Sequence, residues 1–245
     1  MATAAVTQSP EVRRSAEVID GVDGESIGRW YGSTRRVSWL LRRLWLDIRL
    51  EDEANVPDDG GVVLAANHLS FLDSVLLMYS LPRRVSFLGK AEYLSAWPTR
   101  KLFPAAGMIP VDRSGRGVAR SLDEAWRRLR NGEAVGIFPE GTRSRDGLLH
   151  RGHPGVAHMA LKSGAPIVPV GIIGTDEAQP PGARLPRYGA PVTIRFGAPI
   201  GLGEWAGRRP TGQLKREITA TVMREIAALS GQTYVDTHAP IPAST

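Results

Sequence analysis

The sequence predicts an α/β fold: a single domain with a mostly buried mixed sheet flanked by helices and preceded by an amphipathic N-terminal helix. Three observations carry this. Short β-rich runs at 62–66, 85–88, 108–111, 134–138, 167–173 and 192–196 alternate with helical stretches near 71–79, 118–130 and 155–162. The 245 residues can bury one sizeable core, and nothing in that length forces a second domain. Hydrophobic residues at 42% and charged residues at 23% exclude wholesale disorder, collagen-like repeats and a coiled coil.

Residues 1–27 carry five acids against two bases and few large apolar side chains, which reads as a disordered acidic tail without the basic start and apolar stretch of a secretory signal. Residues 28–50 reverse that balance, with six arginines against Asp47 alone and three of the six tryptophans. Val37, Leu40, Leu41, Leu44 and Ile48 recur at helical spacing, and Arg35, Arg36, Arg42 and Arg43 project from the other side. Such a helix suits an anionic lipid interface, and it equally suits a surface helix packed on its own domain.

Residues 51–230 are expected to form the folded domain. Its last helix, near 213–229, spaces Leu214, Ile218, Val222 and Ile226 four apart, a packing stripe. The stretch 179–191, with four prolines and two glycines, is a loop. Residues 231–245 are expected to be a flexible tail. The longest apolar stretch, 62–81, is broken by Asn67, His68 and Asp73 and falls short of the roughly 20 clean residues a spanning helix needs, so membrane contact is expected to be peripheral.

A net charge of +6 and a pI near 10.0 call for an anionic partner: nucleic acid, an acidic membrane or a phosphorylated substrate. Cysteine is absent, which removes disulfides, a thiolate nucleophile and cysteine-ligated zinc.

The chemistry concentrates in Ala66-Asn67-His68-Leu69-Ser70-Phe71-Leu72-Asp73, where a strand gives way to a helix. Five residues apart, His68 and Asp73 would not face each other in a regular helix, so they meet only if His68 lies in the preceding turn. Ser70 and Asp73 also make a capping box with Ser70 as N-cap, a purely structural use of the same residues. If the pair is catalytic, the imidazole removes a hydroxyl proton and the carboxylate orients the ring. Past two other strands stand Gly107-Met108-Ile109-Pro110-Val111-Asp112-Arg113 and Phe138-Pro139-Glu140-Gly141-Thr142-Arg143-Ser144, whose arginines suit bidentate phosphate binding. Each block alone is also an ordinary turn.

Together, in this order, and with the proline-centred strand Ala165-Pro166-Ile167-Val168-Pro169-Val170, these blocks resemble the glycerolipid acyltransferase family that includes 1-acylglycerol-3-phosphate acyltransferases. The resemblance runs from about Val62 to Pro199 and implies transfer of a fatty acyl group to a lysophospholipid hydroxyl. The implied acceptor is 1-acyl-sn-glycerol-3-phosphate, giving phosphatidic acid, with another lyso- or glycolipid as alternative. It further implies acyl-CoA or acyl carrier protein as donor, no cofactor and no metal. His68 would be the base with Asp73 its partner, while Arg113, Glu140, Gly141, Thr142 and Arg143 hold the acceptor. Asn67 would shape the histidine turn and Pro169 the cleft. His150 departs from the pattern, standing where many relatives carry lysine. The expected setting is peripheral, on the cytoplasmic face of an anionic cell membrane.

Two rival classes are weaker. Gly24-Glu25-Ser26-Ile27-Gly28 matches a serine-hydrolase elbow, but in an apolar-poor tail without the strand that the elbow requires. A nucleic-acid binder would explain the charge, yet the arginines cluster with leucine and tryptophan, and no zinc finger or ribonucleoprotein motif is present. His150, His153 and His158 have no cysteine to complete a metal site and are expected to be solvated or packed rather than metal ligands.

Overall fold

The computed structural model of the protein describes residues 45–90, 107–111, 116–183 and 185–240. In chain order its elements are β1 (Asp47–Glu51), β2 (Val62–Ala66), α1 (Leu72–Ser80), β3 (Val85–Lys90), β4 (Ile109–Val111), α2 (Arg116–Arg130) and β5 (Ala134–Ile137). There follow β6 (Leu149–His150), α3 (Gly155–Ser163), β7 (Ile167–Ile173), α4 (Thr175–Ala178), β8 (Pro191–Phe196), α5 (Gly212–Ser230) and β9 (Tyr234–Val235).

Seven strands make one sheet in the order β1-β8-β7-β2-β5-β3-β4, and every neighbouring pair is parallel except β7 with β8. β2 is the central strand. All five of its residues are buried, as expected of a parallel strand covered on both faces. Alternation sends Val62, Leu64 and Ala66 toward Leu72, Leu76 and Leu77 of α1, and Val63 and Ala65 toward the face covered by α2, α3 and α5. At nine residues α1 is too short to persist alone; burial of its leucines, each worth about 1.5–3 kcal/mol, holds it on the sheet.

The mixed sheet and each predicted strand are present, the ends moving by at most a couple of residues. Ile48, read from its spacing as the end of an amphipathic helix, lies instead in β1, paired with Val192 of β8. The sheet therefore begins at Asp47, inside the segment assigned to membrane contact; residues 28–44 of that segment, like residues 1–27, lie outside the described residues. Residues 231–240, expected to be flexible, run along the sheet end and add β9 parallel to β6. These short edge pieces have too few residues to show a period.

Parallel pairing places the chemistry. Leu64 lies beside Gly136 and Ala65 beside Ile137, so the chain leaves β2 and β5 at the same end of the sheet, the usual position of a site in an open α/β fold. β4 ends there too, through Lys90 opposite Val111. Gly136 is required by its neighbour: a Cβ there would lie 2.0 Å from the Phe87 ring. Phe87 in turn packs against Phe138, which follows β5, with centroids 4.7 Å apart and planes tilted by 37°.

Candidate active site

His68 sits in the turn between β2 and α1, as its separation from Asp73 demanded. Its Nδ1 lies 2.8 Å from Asp73 Oδ2. A carboxylate only accepts, so Nδ1 carries the proton and Nε2 keeps its lone pair. The ring lies flat on Phe138, centroids 3.8 Å apart and planes 6° from parallel, and its side chain is 16% exposed, enough to meet a substrate. Neither aromatic partner was legible as such in the sequence, because the stack joins two loops.

Asp73 is fully buried, and its Oδ2 also accepts from the amides of Leu69 at 2.7 Å and Ser70 at 2.8 Å. The second of these is the capping-box bond. Helix capping and ring orientation, which the sequence offered as alternatives, thus share one oxygen. The other half of the box does not form: Asp73 N donates to the Ser70 carbonyl at 3.3 Å, Ser70 Oγ accepts from Leu72 N at 3.4 Å and donates to Gln179 O at 3.1 Å, and Phe71 rather than Ser70 is the N-cap.

Asn67 is fully buried and does not face a ligand. Its side chain pairs with the backbone of Ile172, accepting at 2.7 Å and donating at 2.8 Å, and donates to Gln232 Oε1 at 2.8 Å. Gln232 passes the contact on, donating to Gly147 O at 2.9 Å. One amide side chain from the C-terminal stretch therefore joins the histidine turn to the loop that bears Arg143. Sequence reasoning missed Gln232, which carries no motif.

Glu140 requires a correction. Read as a ligand for the acceptor, it is 2% exposed and spends both oxygens on backbone: His68 N donates to Oε2 at 3.2 Å and His150 N to Oε1 at 3.0 Å. Burial pushes its carboxyl up to about 7 against the opposing pull of those two amides. Glu140 is a clip beneath the site. Ser144 N adds a second tie, donating to His68 O at 2.7 Å.

Gly141 closes the turn from Phe138, donating to its carbonyl at 3.0 Å with φ +72, a conformation natural to glycine. The chain then emerges, with Thr142 half-buried and Arg143 exposed; among the described residues Arg143 has no ion-pair partner. Arg113 lies outside the described residues. Pro169 is buried within β7, and alternation puts it on the α5 face with Ala65, its register partner. It does not line the cleft beside His68. His150 is also withdrawn from any anion: it is 5% exposed, with Nε2 at 3.1 Å from Asp146.

An oriented imidazole with one free nitrogen beside an exposed arginine can deprotonate a hydroxyl on an anionic molecule. The acyltransferase family model matches residues 47–173, over half of the chain, including His68, Asp73, Glu140 and Arg143. The chain belongs to the acyltransferase family. Among curated members, it is 31% identical over 151 residues to a 1-acyl-sn-glycerol-3-phosphate acyltransferase of Borreliella burgdorferi, covering 58% of this chain and 60% of that protein. It is 32% identical over 182 residues to one from Cocos nucifera, covering 73% and 57%, and 33% identical over 134 residues to one from Bacillus subtilis, covering 54% and 65%. The chain spans little more than half the length of the first of these relatives. The crystal structure of the 1-acyl-sn-glycerophosphate acyltransferase PlsC from Thermotoga maritima shares the fold, with TM-score 0.58 at 24% identity over 93% of this chain and 86% of that one.

Proposed function

We propose that this member of the acyltransferase family moves a fatty acyl group from acyl-CoA or acyl-ACP to the free hydroxyl of a lysophospholipid, foremost 1-acyl-sn-glycerol-3-phosphate, giving phosphatidic acid in phospholipid biosynthesis. The observation that carries the reading is the His68–Asp73 pair at 2.8 Å with its Nε2 free, at the sheet end that also bears Arg143. The relatives' names favour the same acceptor.

His68 Nε2 takes the hydroxyl proton while the oxygen attacks the thioester carbonyl carbon. Asp73 holds the ring and stabilises the imidazolium that forms. The tetrahedral adduct collapses, its C–S bond breaks, and the leaving thiolate takes the proton back from Nε2. No acyl-enzyme forms and no metal or cofactor takes part. Arg143, with Arg113, receives the acceptor phosphate, and Thr142 lies between that charge and the turn. The lipid acceptor, rather than nucleic acid, accounts for the excess of basic residues. Among the described residues no helix is long and apolar enough to cross a membrane. In this reading the enzyme meets its lipid substrate as a peripheral protein on the cytoplasmic face of the membrane.

One observation favours a second acceptor class. A groove of about 380 Å³ beside the catalytic turn is lined by Leu69, Asp176, Glu177, Thr193 and Gln232 among others. Two carboxylates and two neutral hydrogen-bonding groups suit an amine- or hydroxyl-bearing headgroup, as on another lyso- or glycolipid. Mass spectrometry of purified enzyme with acyl-CoA or acyl-ACP and a panel of lyso-acceptors separates the two. Acylated lysophosphatidate is the expected product; absence of product from every acceptor with both donors would end the proposal.

A further inference from the structure

Among the described residues four large apolar side chains are exposed: Trp45, Val118, Leu185 and Tyr188. Two of them, Trp45 and Tyr188, meet across more than 140 positions of chain, and Leu185 stands next to Pro186, whose carbonyl accepts from the Trp45 indole. Trp45 Nε1 donates to Pro186 O at 2.9 Å, and Gly189 N donates to Trp45 O at 2.8 Å. The rings of Trp45 and Tyr188 meet edge to face, centroids 5.8 Å apart and planes at 86°. The patch is thus built: its indole N–H is satisfied by protein while the apolar surfaces of Trp45, Leu185 and Tyr188 remain 40%, 70% and 77% exposed. Single exposed apolar residues are ordinary, but a fixed cluster of them marks a contact surface.

Charge selects the occupant. Residues 178–203 contain no aspartate or glutamate and three arginines, of which Arg187 is exposed beside Tyr188 and Arg195 is paired with Glu51. Arg42 and Arg43 come just before Leu44-Trp45 in the sequence, against Asp47 on the adjoining strand. Apolar tips, an indole and a tyrosine among arginines fit an anionic bilayer, where rings rest at headgroup depth and guanidinium groups meet phosphates. Position fits as well. The loop 179–190 joins α4 to β8, whose residues Asp176, Glu177, Pro191 and Thr193 line the groove that reaches Leu69, and Ser70 Oγ ties the start of the loop to the catalytic turn.

We propose that Trp45, Leu185 and Tyr188 form a prong that seats the protein on an anionic lipid bilayer, holding the groove beside His68 open at headgroup depth. The surface rests on the lipid acyltransferase reading for its purpose, while its binding to vesicles is measured without turnover. The full chain is sedimented with vesicles of phosphatidylglycerol and phosphatidylcholine and with phosphatidylcholine alone. The double variant Leu185→Ser, Tyr188→Ser, with unchanged circular dichroism, is expected to bind the anionic vesicles about tenfold more weakly. Because the chain has no cysteine, single Leu185→Cys, Tyr188→Cys and Ala220→Cys variants carry one environment-sensitive fluorophore each. The labels at 185 and 188 should shift to the blue on anionic vesicles, and the label at exposed Ala220 on α5 should not. Equal vesicle binding by the double variant, no shift at 185 and 188, or self-association through this patch in place of vesicle binding would overturn the prong. Vesicle binding with all these signatures but no acylated product would instead sink the reaction and leave the prong standing.

Discussion

Two buried carboxylates, Asp73 at 0% and Glu140 at 2% exposure, both accept hydrogen bonds from the same histidine turn and do different work. Asp73 gathers three donors on one oxygen, and one of them is an imidazole. Glu140 takes one backbone amide on each oxygen. A backbone amide cannot give up its proton, so Glu140 can only hold; an imidazole gains and loses one at its far nitrogen, so Asp73 is the acid placed to serve the proposed chemistry. What a buried acid does is set by what its partner can do.

The largest effect should come from removing that partner. His68→Ala is expected to lower kcat by on the order of 10² to 10⁴-fold with the thermal unfolding midpoint nearly unchanged, and normal turnover would erase the distinction between the two acids. Asp73→Asn should reduce kcat on the order of 10²-fold, since the amide can still cap the helix but neither fixes the tautomer nor steadies the imidazolium. A loss confined to stability would make Asp73 a second clip. Arg143→Ala should raise KM for a phosphate-bearing acceptor about 10- to 100-fold and leave KM for the thioester alone, a contrast that steady-state kinetics with each substrate varied in turn will read.

Glu140→Gln should act mainly on stability, costing about 1–3 kcal/mol in urea titrations at acid pH as one amide loses its acceptor. Its pH dependence has a definite sign. Burial raises the Glu140 carboxyl from 4.5 to about 7, so the folded protein keeps a proton that the unfolded chain has released. The stabilisation from this group is complete below pH 4.5 and is lost as pH rises through about 7. Wild-type stability relative to Glu140→Gln should therefore fall across that window, by at most about 1.4 kcal/mol per pH unit; a flat difference would mean that Glu140 is ionised throughout. The smallest change is expected from Gln232→Ala, which loosens the link from the histidine turn to the Arg143 loop and should lower kcat by about threefold to tenfold at unchanged KM.

The predicted strands and long helices were legible because their apolar and β-rich composition stands out between turn residues, and the His68–Asp73 pair because a helix geometry that forbids contact forces the histidine into the turn. β1, β6, α4 and β9 escaped, being short or masked by the arginine-rich pattern around Ile48. Glu140 and Pro169 were placed at a ligand on the strength of their blocks, and packing turned both inward.

The order of polar blocks, the strand-turn-helix frame around His68, the lack of cysteine and the excess of arginine belong to the sequence alone, since local spacing and composition express them without reference to distant residues. Which acid meets the imidazole and which only backbone amides, the stack of His68 on Phe138, and the bonds from Gln232 to both loops were decided by tertiary structure. Each depends on two segments far apart in the chain being brought to one end of a parallel sheet, and no local pattern encodes which atoms then meet.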